Sequence, residues 1–89
     1  MLITTEPALV FLGKLLHEAN APEYVSVRIE QAEGSGPCKM KISRQETGDM
    51  QFRHHGRTVL VLDKQTGDSL DEETLDVEQT EKGNRLVLR

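Results

Sequence analysis

Apolar residues recur every three or four positions early in the chain. Leu9, Leu12, Leu16 and Ala19 form one stripe, which Ala8, Phe11 and Leu15 widen. That is the helical period, so it predicts an α-helix with one face turned to a core. Thr5 is placed to cap it, because its hydroxyl can accept from a first-turn N–H that has no partner inside the helix. Pro7 is tolerated in that turn for the same reason. Asn20-Ala21-Pro22 ends the run, and Leu2-Ile3 ahead of it reads as a short strand.

From Tyr24 the period changes to two. Val25, Val27 and Ile29 alternate with Ser26, Arg28 and Glu30, as in a strand with one buried face. After the loop Glu33-Gly34-Ser35-Gly36-Pro37, a second run sets Cys38, Met40 and Ile42 against Lys39, Lys41 and Ser43. Met50, Phe52 and His54 alternate with Gln51, Arg53 and His55 beyond the polar turn at Gln45 to Asp49. His55-Gly56 then predicts a tight turn into Thr58-Val59-Leu60-Val61-Leu62, apolar enough to be buried on both faces. Asp63 to Gly67 reads as a turn and Ser69 to Glu73 as one helical turn. Leu75 and Val77 mark a short strand, and Lys82-Gly83-Asn84 turns it into Leu86-Val87-Leu88. One helix and six or seven short strands predict a single α+β domain over residues 1–89, a small and mainly antiparallel β-sandwich.

Composition narrows the function. Eighty-nine residues with one Tyr, two Phe and no Trp make a thin core of Leu, Val and Ile, for which a homodimer is a reasonable expectation. The net charge is −4, and Asp63, Asp68, Asp71, Glu72, Glu73, Asp76, Glu78 and Glu81 crowd the last third. A nucleic-acid binder needs the opposite balance, so that class is set aside. Arg28, Lys39, Lys41 and Arg44 read as the solvent face of two strands. No apolar run approaches the length of a membrane span, and the stretch Met1 to Pro7 shows no basic n-region. A single cysteine forms no internal disulfide, and the expected compartment is a reducing cytoplasm.

Several strings, in this order and spacing, resemble the HesB/IscA family of A-type iron–sulfur carriers. They are Ile3-Thr4-Thr5-Glu6-Pro7-Ala8, Val27-Arg28-Ile29, Gly34-Ser35-Gly36, His55 to Val61, Asp68-Ser69-Leu70, Leu75-Asp76-Val77 and Gly83-Asn84-Arg85-Leu86. The resemblance implies a compact, usually dimeric β-sandwich that holds iron or a cluster and passes it on. Family members do so through a cysteine in a Gly-Cys-Ser-Gly loop and a later Cys-Gly-Cys, since soft thiolates suit iron. Laid on without gaps, the loop cysteine falls on Ser35, Cys38 comes three residues later, and residues 1–89 contain no Cys-Gly-Cys.

Two readings of Cys38 therefore stand. As a metal ligand, it would join its counterpart in a second subunit at iron or a [2Fe–2S] centre. Gly34, Ser35 and Gly36 would then shape the surroundings, and Lys39 would favour the thiolate. As a core residue, it would pack beside Met40 and Ile42. His54 and His55, as neighbours on a strand, are expected on opposite faces and unable to share an ion, with His17 distant on the helix. Asp68 to Glu73 lacks the ligand spacing of a calcium loop and reads as a solvated acidic surface. No hydrolase signature, P-loop or dinucleotide fingerprint is present. The sequence thus predicts no enzyme. It predicts a carrier-like protein of iron–sulfur cluster assembly, partnered by itself and by assembly or client proteins, or else an interaction module that has kept the fold without the metal.

Overall fold

The structure is a computed structural model, and it describes residues 2–31, 36–37 and 39–89. The elements run β1 (Ile3–Thr4), α1 (Glu6–Glu18), β2 (Val25–Gln31), β3 (Gly36–Pro37), β4 (Lys39–Arg44), β5 (Met50–His54), β6 (Arg57–Leu62), α2 (Lys64–Ser69), β7 (Thr74–Thr80) and β8 (Gly83–Leu88). Helix α1 starts where the capping chemistry places it: Thr5 is extended, and its Oγ1 accepts from the Ala8 N–H at 3.3 Å. The same hydroxyl donates to Asp76 Oδ1 at 2.8 Å, and the Thr5 N–H reaches the Leu75 carbonyl. The cap is therefore also the joint between the helix and β7.

The strands form two four-stranded sheets, ordered β1-β7-β8-β3 and β4-β2-β6-β5. Pairing is antiparallel for β7–β8, β3–β8, β2–β4 and β5–β6, and parallel for β1–β7 and β2–β6. The mainly antiparallel α+β architecture expected from the sequence is what forms. Helix α1 packs against strands of both sheets, β7 from one and β2, β5 and β6 from the other. Its Ala8, Leu12 and Leu16 are wholly buried, in one core with Val27, Ile29, Val59, Leu60, Leu62, Leu75, Leu86 and Leu88. Taking each such leucine out of water stabilises the fold by about 1.5–3 kcal/mol. Ala19, the last residue of the predicted stripe, is exposed because the helix has already ended.

The predicted double burial of β6 is found: Thr58 to Leu62 are all buried. Three expectations need correcting. Arg28 lies on no solvent face; it is 8% exposed, and its neighbour Ser26 is wholly buried. Residues 45–49, between β4 and β5, fold over that side of β2 and cover it. Ile42 keeps the face of Met40, since the two pair with Val27 and Ile29, but on edge strand β4 it is 45% exposed, whereas Met40 packs partly against the core. The second helix spans Lys64–Ser69 and not Ser69 to Glu73, because Asp63 caps it by accepting from the Thr66 N–H at 2.7 Å.

Candidate functional site

Of the loop singled out by the sequence, Gly34, Ser35 and Cys38 lie outside the described residues. Gly36 and Pro37 form β3 and pair with Leu88 and Val87 of β8. Lys39, one position past Cys38, opens β4 in the other sheet. Pro37 and Lys39 therefore belong to different sheets, with Gly36 opposite Leu88 near the end of the last strand.

A group of side chains of metal-ligating type comes together at the tip of the β5–β6 hairpin. His55 and Gly56 both have positive φ, at 52° and 78°. That is the turn whose twist matches antiparallel strands. Strand alternation ends there, so the expectation that His54 and His55 face opposite ways fails. Their rings meet edge to face with centroids 4.0 Å apart. His54 shares the side of β5 that carries Phe52, which points it at the start of α1. There Glu6, the first helical residue, places Oε1 2.8 Å from His54 Nε2. The His54 side chain is 15% exposed and that of Glu6 is 70% exposed. One ligand atom from each of Glu6, His54 and His55 lies within 4.8 Å of the others. The sequence does not single out Glu6; an acid in the first helical turn is common, and nothing in the local pattern ties residue 6 to residue 54.

The other polar cluster lies under residues 45–49. Arg28 donates from both guanidinium nitrogens to Asp49, at 2.6 and 3.3 Å, and from one of them to the Arg44 carbonyl at 3.2 Å. Asp49 also accepts from the Glu46 N–H at 2.8 Å, and the Glu46 carboxylate lies 3.4 Å from Arg28. The hydrogen bond from Arg28 holds the Asp49 carboxyl below its ordinary range, against the opposing effect of burial. Ser26 donates to the Thr58 carbonyl and accepts from Gln45, both at 2.8 Å. Every polar group named here has a partner, which is what burial demands.

A shallow polar cleft of about 170 Å³ opens nearby, beside Gln45, Gln51, Arg53 and Arg57. One terminal nitrogen of Arg57 bonds the Ala21 and Pro22 carbonyls at 2.8 and 3.1 Å while its Nε is buried with no hydrogen-bond partner among the described residues, and Arg53 bonds the Gly56 carbonyl at 3.1 Å. Those guanidinium groups are engaged in holding loops.

A helix packed across two four-stranded sheets in this order defines the chain's class: an α+β fold of the IscA-like kind. A solved structure of IscA with the [2Fe-2S] cluster superposes on all of this chain and on 84% of its own, with a TM-score of 0.65 at 14% identity. No family model and no curated protein matches the sequence. The likeness is therefore one of fold. No helix among the described residues is long and apolar enough to cross a membrane.

Proposed function

We propose that this chain is a divergent A-type-carrier-like protein of iron–sulfur cluster assembly, a cytoplasmic binding protein and no enzyme. It would hold iron or a [2Fe–2S] cluster as cargo between two subunits through Cys38. The observation that carries this reading is the full-length fold match to a cluster-bearing IscA structure. The topology supports it. Gly36 pairs with Leu88, so β3 lies beside the end of β8 in one sheet. By the resemblance, the family's loop ligand falls on Ser35, next to Gly36 in the chain.

The donor count shapes the proposal. One cysteine per chain gives a dimer two thiolates, whereas a cluster takes four ligands, so the remaining positions fall to glutathione or to another side chain. Such a site would be weaker and more exchangeable than a three-cysteine one, which suits transfer more than storage.

Anaerobic reconstitution with ferrous iron and sulfide, followed by absorption spectra and an iron and sulfide count, tests the reading. The expected result is a visible charge-transfer band that is absent in Cys38→Ser, with about one iron per chain in the dimer, since a two-iron centre is shared by two chains. A wild-type chain that retains no iron, with Cys38 inert to thiol reagents until unfolding, would overturn it. The domain would then be a protein-interaction module that has kept the fold alone.

A further inference from the structure

We propose that Glu6, His54 and His55 form a binding site for a borderline divalent transition metal, of which zinc is the representative, separate from Cys38 and independent of the cluster reading. Two imidazoles and one carboxylate are a donor set for zinc and its first-row neighbours. Calcium and magnesium prefer oxygen alone. The three ligand atoms already lie within 4.8 Å of one another. Bond lengths near 2.0–2.2 Å around a tetrahedral ion require them about 3.3 Å apart, so a closure of no more than about 1.5 Å completes the site.

The structure supplies that closure asymmetrically. His54 is the anchor, because its side chain is only 15% exposed; its 2.8 Å contact with Glu6 holds the two donors together until an ion takes the place of the shared proton. Glu6 is 70% exposed on its side chain and is free to swing. His55 rides on the turn, and among the described residues no side-chain hydrogen bond restrains its ring. Three protein ligands on a four-coordinate ion leave one position open to water, as in zinc sites that are not purely structural.

The turn adds a second reason. The first position of such a turn favours Asn, Asp or Gly, which adopt left-handed φ with least strain. Here the position holds His55 at φ 52°, and the left-handed backbone is what brings its ring beside His54. A plain hydrogen-bonded His54–Glu6 pair would not need it. One feature of the surroundings opposes a cation: Glu6 opens helix α1, whose N-terminal end carries partial positive charge. The Glu6 carboxylate offsets that field, and its loss should therefore be felt strongly.

The test is calorimetric titration of the full chain with zinc chloride after chelator treatment. We expect one zinc per chain. His55→Asn, which suits the turn and preserves the fold, and Glu6→Gln should each weaken binding at least tenfold with unchanged circular dichroism. Cys38→Ser and His17→Asn should stay within twofold of wild type. The proposal is overturned if wild type takes up no zinc, if His55→Asn and Glu6→Gln bind like wild type, or if Cys38→Ser abolishes binding. Failure of iron reconstitution leaves the zinc result standing, so the two readings fall separately.

Discussion

Two polar clusters in this molecule look alike on distance alone. Arg28 meets Asp49 at 2.6 Å, and His54 meets Glu6 at 2.8 Å. Their surroundings separate them. The Arg28 and Asp49 side chains are 9% and 4% exposed, and backbone groups of Arg44 and Glu46 take up further valences. That cluster is closed, and its work is to let residues 45–49 cover the second face of β2. At the hairpin tip Glu6 is largely exposed and the His55 ring projects from a turn. That cluster is open, with donor atoms still available to a ligand. A short contact between charged groups says little about role; burial and the filling of the remaining hydrogen-bonding positions decide it.

The sharpest way to break the contrast is to remove one partner from each cluster. Asp49→Ala leaves the Arg28 guanidinium buried without its carboxylate and should cost about 3 kcal/mol of folding stability, read by urea or thermal unfolding. A loss below about 1 kcal/mol would mean that water reaches Arg28 and that the cluster is not closed.

Acid titration sharpens the same point. The carboxyls of Asp49, Asp63 and Asp76 are all held below their ordinary value of 3.8. The chief causes are the Arg28 hydrogen bond, the Thr66 N–H and the Thr5 hydroxyl respectively. A depressed folded value means that the unfolded chain takes up protons first. The stabilisation is therefore complete above about pH 5 and is lost as pH falls through and below 3.8. Melting temperature should be level from neutral pH down to about 5 and fall steeply below 4. In Asp49→Ala that fall should be shallower, and an equal fall would remove Asp49 from the account.

The smallest effect is expected at the open cluster. Glu6→Gln should change stability by no more than about 0.5 kcal/mol in the absence of metal, since the carboxylate is mostly solvated. A cost above about 1.5 kcal/mol would show that the pair is structural, like Arg28 and Asp49.

Much of the fold was legible along the chain. The 3.6-residue stripe from Ala8 to Leu16, with Thr5 before it and Asn20 after it, specified a helix and its buried face. The five buried residues of β6 and the turn at His55-Gly56 could be read from local composition, because turn chemistry and apolar runs act over a few residues. Less of the candidate site could be read. His54 and His55 were visible as residues, but strand alternation sent them apart, and the site's third member lies 48 positions away at Glu6.

By itself the sequence determined which segments are helix or strand and which side of each is apolar, because these follow from periods of 3.6 and two and from caps and turns. Only the tertiary structure decided what covers the remaining side. Ser26 and Arg28 alternate as a wet face should, yet residues 45–49 close over them and turn that face into a second, polar interior. Likewise, a left-handed backbone at His55 and the packing of α1 against β5 bring three side chains together that no local period relates. The physical reason is the same in both cases. Periodicity fixes the direction of a side chain relative to its own backbone, whereas its neighbours are fixed by how distant segments fold over it.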